Sequence, residues 1–190
     1  MQRIASNVAD SRERIADAAQ RSGRAATDVT LVAVTKYVGP SETQMLLAAG
    51  CRDLGESRPQ SLWGKADAIE DSEVRWHMIG HLQRNKVRRT IPLVCLTHSG
   101  DSVRLISEID RLAEAGGGPA KILLEVNVSG DEAKHGFSAD ELEAALPQLG
   151  RLPNVTIQGL MAMARLDGDL SAARRDSPPL RELSAPLTQP

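Results

Sequence analysis

Apolar and polar residues alternate along this chain with two different periods. Residues 3–22 predict an amphipathic helix, because apolar side chains recur at helical spacing while arginine and aspartate occupy the other face. The apolar positions are Ile4, Val8, Ile15 and Ala19. Residues 28–37 lack this helical spacing, since the four consecutive positions 31–34 are all apolar. Such a run is typical of a strand buried on both faces of a parallel sheet.

The same alternation continues to the end of the chain. The patterns predict further strands at 51–56, 74–80, 92–98, 120–129 and 154–163, and further helices at 39–50, 58–70, 82–89, 101–116, 138–149 and 170–183. Cap signals support two of these helices, namely Ser41 with Gln44 and Ser138 with Glu141, and Gly50 is a suitable helix stop. Regular alternation of strand and helix predicts an α/β fold with a parallel sheet and right-handed crossovers.

Two parallel architectures fit this alternation, an open doubly wound sheet and a closed (β/α)8 barrel. The first strand is not followed by a GxGxxG pattern, so the usual dinucleotide-binding fingerprint is absent. Six strands are predicted in 190 residues, whereas a complete barrel needs about 250 residues. The chain is therefore short for a closed barrel.

Composition narrows the classes of partner. The chain has 23 basic and 25 acidic residues, a formal net charge of −2, so no overall positive field attracts nucleic acid or an anionic membrane. Aromatic residues make up 2%, too few for platforms that stack single-stranded bases. The charged opening segment predicts no signal peptide, and no apolar run reaches the ~18 residues of a membrane span. With two cysteines, we expect a single-domain cytoplasmic protein.

Residues that follow the predicted strands are the candidates for chemistry, because parallel folds work at the carboxyl ends of their strands. Lys36 stands out, since it directly follows an apolar strand. Its ammonium group either extends to solvent or forms a Schiff base with an aldehyde. The residues alone leave both possibilities open.

Four weaker patterns favour structural roles. Zinc could be suggested by His77 with His81 and by Cys95 with His98, but both pairs lack further ligands at familiar spacing. A basic cluster at residues 83–89 is typical of a solvated helix face. The fourth pattern is a carboxylate pair of unknown separation, Glu56 with Glu125. No metal site is predicted from them.

Several short motifs occur in a set order along the chain. They are LVAVTK at 31–36, LGES at 54–57, Gln60, WHMIGHLQRNK at 76–86, KHG at 134–136 and GLMAM at 159–163. Together they resemble the YggS/PROSC family of pyridoxal 5′-phosphate (PLP) homeostasis proteins. The resemblance implies a (β/α)8 TIM-barrel-like domain, similar to the N-terminal domain of alanine racemase, over 1–183, with a tail at 184–190.

The resemblance also implies a function and a site. Family members hold PLP as a Schiff base on the lysine that ends the first strand, which corresponds to Lys36. His77, with Gly80, and Met161 match positions bordering that site, and Ser57 stands where the family usually has asparagine. The resemblance implies an intracellular, monomeric PLP carrier without catalytic residues, which could supply PLP-dependent apoenzymes.

One departure from the family concerns the last part of the chain. The family continues past its sixth strand with SMGMS-type and VRIG-type segments, which hold the cofactor phosphate, and residues 164–190 contain neither. We therefore expect an incomplete barrel with about six of eight βα units and weakened phosphate binding. The alternatives are a truncated or degenerate member with little or no PLP binding, and a PLP-dependent amino-acid racemase-like enzyme.

Overall fold

The computed structural model describes residues 2–114, 118–128 and 135–163. The chain divides into two compact units, Met1–His77 and Met78–Pro190. Six helices are described: α1 (Gln2–Arg21), α2 (Pro40–Ala48), α3 (Pro59–Ala68), α4 (Val87–Thr90), α5 (Val103–Ala113) and α6 (Ala139–Leu149). They alternate with β1 (Ala33–Val34), β2 (Asp53–Glu56), β3 (Arg75–Met78), β4 (Leu96–Gly100), β5 (Ala120–Glu125) and β6 (Val155–Met161).

The strands form one sheet in chain order, from β1 to β6. β1 pairs with β2, β4 with β5, and β5 with β6, each in parallel. This arrangement confirms the predicted α/β fold with parallel strands. No helix in the described ranges is both long and apolar enough to cross a membrane.

In the first unit α1 packs beside α2. α1 buries Val8 and Ala19 from the apolar face seen in the sequence. The guanidinium of Arg12 on its polar face donates a hydrogen bond of 2.7 Å to the carbonyl of Gly50, which ends α2 with a φ of +81°. Both tryptophans belong to this unit, and Trp76 is buried in β3.

The prediction that the first strand is buried on both faces is wrong. β1 contains only Ala33 and Val34, and the side chain of Val34 is 51% exposed. β1 lies at one end of the strand order and has β2 as its neighbour, so one of its edges has no strand partner among the described residues. An apolar run reports the preference for burial and does not report how many neighbours a strand has.

The second unit is built around β5, which pairs with β4 on one side and β6 on the other. Ile122 and Leu124 of β5 are fully buried. The predicted cap of the following helix is confirmed, since Ser138 Oγ accepts a bond from the Glu141 N–H and the Glu141 carboxylate accepts one from the Ser138 N–H.

Several predicted boundaries differ from the structure. α2 begins at Pro40 with Gly39 as its N-cap, and the capping carboxylate belongs to Glu42 instead of the predicted Ser41 and Gln44 pair. The predicted helix at 82–89 is a 3-10 turn followed by the short α4, and the strand predicted at 92–98 begins at Leu96 because a 3-10 turn covers Ile91–Leu93. The predicted helix at 170–183 and the tail at 184–190 lie outside the described residues.

Candidate functional site

Lys36 lies just beyond β1, with Thr35 between the strand and the lysine. Its side chain is exposed, and its Nζ lies 5.0 Å from the centroid of the Tyr37 ring. Within the part of the chain that the structure describes, Lys36 forms no ion pair. The amine is therefore accessible to a ligand from solvent.

The residue before Lys36 is held by a buried polar network. Thr35 is fully buried, and both its N–H and its hydroxyl donate to the carbonyl of Gly55, at 2.8 and 3.2 Å. The Nζ of Lys65, on α3, donates to the Thr35 carbonyl at 2.6 Å and lies 3.2 Å from the Thr35 hydroxyl. These bonds determine the position at which the chain leaves β1 and turns into Lys36.

Glu56 completes this network from the end of β2. Its carboxylate is fully buried, with one oxygen 2.5 Å from Lys65 Nζ. The other oxygen accepts backbone N–H bonds from Ser57, at 2.7 Å, and Arg58, at 3.2 Å. Because both oxygens are occupied, Glu56 is poorly placed to act as half of a carboxylate pair that transfers protons.

Ser57 lies just after β2 and is half-buried. Its backbone N–H is bonded to Glu56, and its hydroxyl forms no hydrogen bond to any other described residue. The hydroxyl is thus available to a ligand. Serine has a shorter reach than the asparagine usual at this position in the family that the sequence resembles.

His77 has a partner at the beginning of β2. Its Nε2 lies 3.0 Å from Oδ1 of Asp53. The guanidinium of Arg75 donates one hydrogen bond to each carboxylate oxygen of Asp53. The hydrogen bonds from Arg75, and secondarily those from His77, lower the pKa of Asp53 against the opposing effect of burial. Both His77 and Asp53 are buried, so this arrangement supports the packing of the first unit.

The second unit contains a separate cluster of polar side chains. His81 Nδ1 lies 2.7 Å from Asp101 Oδ2, and the rings of His81 and His135 stack with their centroids 4.3 Å apart. Glu125 at the end of β5 is buried, and its pKa is raised first by burial and then by the charge of Asp101. Met161, the last residue of β6, is half-buried, and its carbonyl accepts a bond from the Val126 N–H.

The structure thus assigns separate partners to the two histidines that the sequence places four residues apart, His77 with Asp53 and His81 with Asp101. In the predicted basic cluster, Val87 is buried while Arg84, Arg88 and Arg89 are exposed, as expected of a solvated face. Sequence reasoning missed Lys65, Asp101 and the pairing of His81 with His135. Lys65 could have been found from its position, because it lies three residues after Leu62 and therefore on the same buried face of α3.

Comparison with known proteins identifies the family. Residues 7–185 match the family described as alanine racemase, N-terminal domain. The pyridoxal phosphate homeostasis protein of Pseudomonas aeruginosa is 35% identical over 183 residues, which cover 96% of this chain and 80% of that protein. The chain belongs to the pyridoxal phosphate homeostasis protein family. The family member of Aquifex aeolicus is 36% identical over 151 residues, and the match covers 80% of this chain and 66% of that protein.

Solved structures agree with this assignment. PipY of Synechococcus elongatus, in a structure with PLP bound, is 34% identical with a TM-score of 0.80, over 92% of this chain and 82% of PipY. Alanine racemase of Clostridium difficile has a TM-score of 0.68 at 12% identity, over 83% of this chain and 42% of that enzyme, a likeness of fold alone. The predicted family and the TIM-barrel-like fold class are both confirmed.

Proposed function

We propose that this chain binds PLP covalently through Lys36 and serves PLP homeostasis without catalysing a reaction of its own. The relatives named as PLP homeostasis proteins and the PLP-bound structure of PipY support this proposal. PLP supplies an aldehyde that condenses with a lysine amine to a Schiff base, with loss of water.

The observation that carries the proposal is the contrast between the two lysines of the first unit. Lys65 is buried and its amine is engaged by Glu56 and Thr35, so it has no access to an aldehyde. Lys36 is exposed, one residue from that network. A fixed backbone with an accessible amine is what a covalent cofactor site requires.

Three further residues belong to the proposal. The hydroxyl of Ser57 is available to bind the cofactor ring, and Met161 offers an apolar side chain at the end of β6. His77 remains a predicted site residue, although the structure bonds its ring to Asp53. Variants S57A, M161A and H77A would each weaken PLP binding if the prediction is right, whereas unchanged affinity would remove that residue from the site.

The absence of catalysis is also part of the proposal. Racemisation requires a second acid or base on the opposite face of the cofactor. Tyr37 is the chain's single tyrosine; it adjoins Lys36 in sequence and its side chain is 88% exposed. We expect no racemisation or transamination of alanine above the rate of free PLP, and a faster rate would replace the carrier proposal with an enzyme.

The direct test is an absorbance titration of the purified chain with PLP, followed by borohydride reduction and peptide mapping. Wild-type protein should develop a red-shifted band and carry the reduced cofactor on Lys36. K36A should lose both signals, while K121A, which removes an exposed lysine of β5, should keep them. A K36A protein that binds PLP as wild type does would overturn the proposal.

Further parts of the proposal concern the cellular setting. We propose a monomeric, cytoplasmic protein that delivers PLP to apoenzymes. Sedimentation of the loaded protein tests its oligomeric state, and fractionation of cells tests its location. Delivery is tested by following recovery of an apoenzyme's activity on mixing with the loaded chain, since recovery no faster than with free PLP would argue against a carrier.

A further inference from the structure

Three side chains of the second unit converge from loops that follow three consecutive strands. His81 comes after β3, Asp101 directly after β4, and His135 in the connection between β5 and α6. Each offers one donor atom, and these three atoms lie within 4.8 Å of one another. The two imidazole rings are nearly parallel, with 13° between their planes.

The backbone around these residues is tightly constrained. Ser99 of β4 donates a 2.6 Å hydrogen bond to the carbonyl of Gly80, which ties the segment before His81 to β4. Gly100, the residue before Asp101, approaches β5 so closely that a Cβ there would be 2.7 Å from the Leu123 carbonyl oxygen. The backbone that leads into His81 and into Asp101 is therefore held close to the neighbouring strands.

The third donor is constrained in the same way. Gly136, next to His135, has a φ of +107°, and a Cβ there would be 2.8 Å from the Glu125 carbonyl oxygen. The N–H of Phe137 donates to that same carbonyl at 2.8 Å. His135 is thus anchored through its backbone at the end of β5, so backbone contacts hold all three donor residues close together before any ligand arrives.

The donor types indicate which ligand would fit. Two imidazole nitrogens and one carboxylate suit divalent zinc, cobalt, nickel or copper, whereas magnesium and calcium prefer oxygen ligands alone. A cation is favoured as well because Asp101 supplies a carboxylate whose side chain is only 6% exposed, and a buried carboxylate is stabilised by a positive partner. Three protein donors leave room for water in the remaining coordination positions.

We propose that His81, Asp101 and His135 form a binding site for one divalent transition metal ion of the zinc class. The site is independent of Lys36 and of the function proposed above. His81 and Asp101 share a short hydrogen bond, and the ion would take the place of that bond between their Nδ1 and Oδ2 atoms.

The test is a titration of the full chain, free of PLP, with zinc in competition with a chromogenic chelator. Wild-type protein should bind one equivalent. Mutation of a residue that only supports a metal ligand typically lowers metal affinity by about 10–100-fold. We therefore expect D101N to weaken zinc binding by about 10–100-fold, and H81A and H135A, which each remove a ligand, by about 100-fold or more. His98 lies on β4 outside the cluster, so H98A is the matched histidine control and should bind as wild type does.

Cobalt substitution supplies a second readout that does not depend on affinity. Cobalt bound by nitrogen and oxygen donors should give weak visible bands without a thiolate charge-transfer band in the near ultraviolet. A thiolate band would place the ion on Cys51 or Cys95 and overturn the proposal. So would an H81A or H135A protein that retains wild-type affinity, or wild-type protein that takes up no zinc, with circular dichroism showing each variant folded.

Discussion

The Nζ of Lys65 lies 2.5 Å from the carboxylate of Glu56 and 2.6 Å from the carbonyl of Thr35, and all three residues are buried. This pair joins α3 to the end of β2 and to the residue that precedes Lys36. The same interaction that stabilises the first unit therefore also positions the proposed cofactor lysine.

Loss of both members of this pair should cost less stability than the two single losses added together. K65M leaves the Glu56 carboxylate buried without a cation, and E56Q leaves Lys65 without an anion, so each should lower the free energy of unfolding by about 3–5 kcal/mol. The double variant E56Q/K65M should lose less than the sum of the two. Urea denaturation measures all three, and additive losses would show that the pair does not interact.

A related prediction concerns chemical reactivity. Lys36 is exposed, whereas Lys65 is 5% exposed and bonded to Glu56, so mild reductive methylation should modify Lys36 much faster. Peptide mass mapping over time measures the two rates. The E56Q variant should raise the rate at Lys65 without changing that at Lys36, and comparable rates at both residues in wild-type protein would contradict the buried network.

Asp53 should make the first unit sensitive to acid. Its pKa is lowered mainly by hydrogen bonds from Arg75, so its stabilising effect is fully present above the ordinary aspartate pKa of about 3.9. The effect is lost as the pH falls below that value through the lowered folded-state pKa. D53N should be less stable by about 1–3 kcal/mol near neutral pH and lose less stability than wild type between about pH 5 and about pH 3.

Thermal unfolding across this pH range measures the effect of D53N. Asp10 is an exposed aspartate of α1, so D10N is the matched control and should follow the wild-type pH profile. An identical acid response in D53N and wild-type protein would show that the bonds to Arg75 and His77 do not stabilise the ionised carboxylate.

Glycine positions offer a test of the loop that carries His135. G136A combines a positive φ with a Cβ 2.8 Å from the Glu125 carbonyl oxygen, so it should destabilise the protein by about 1–3 kcal/mol. Gly64 lies within α3 with open space around its Cβ position, and G64A should stabilise by about 0.5–1 kcal/mol. Denaturant midpoints compare the two variants, and a neutral G136A would mean that the loop adjusts without strain.

The order of the elements could be predicted because its signals are local. The capping residues of α6, Ser138 and Glu141, are three positions apart, and the apolar spacing of α1 lies within a single helix. Exposure of Val34 could not be predicted, since it depends on which parts of the chain pack against that side of β1. Short 3-10 turns around Pro92 also depend on contacts that periodicity does not contain.

The candidate sites show the same division. Lys36 is part of a contiguous motif, LVAVTK, and was found from the sequence. The contacts of Lys65 with Thr35, and of His81 with His135, join residues far apart in the chain and require knowledge of register. Sequence spacing pointed to His77 and His81 as a pair, whereas the fold gives His81 its partners from other loops.

The division of the chain into two units gives them different optical signatures. Trp63 and Trp76 both lie in Met1–His77, and the remainder of the chain contains no tryptophan. Indole fluorescence therefore follows the unfolding of that unit alone, while far-ultraviolet circular dichroism follows the helices of both. Comparing the two transitions in one denaturation experiment, without any label, would reveal whether the halves of this protein melt together or in succession.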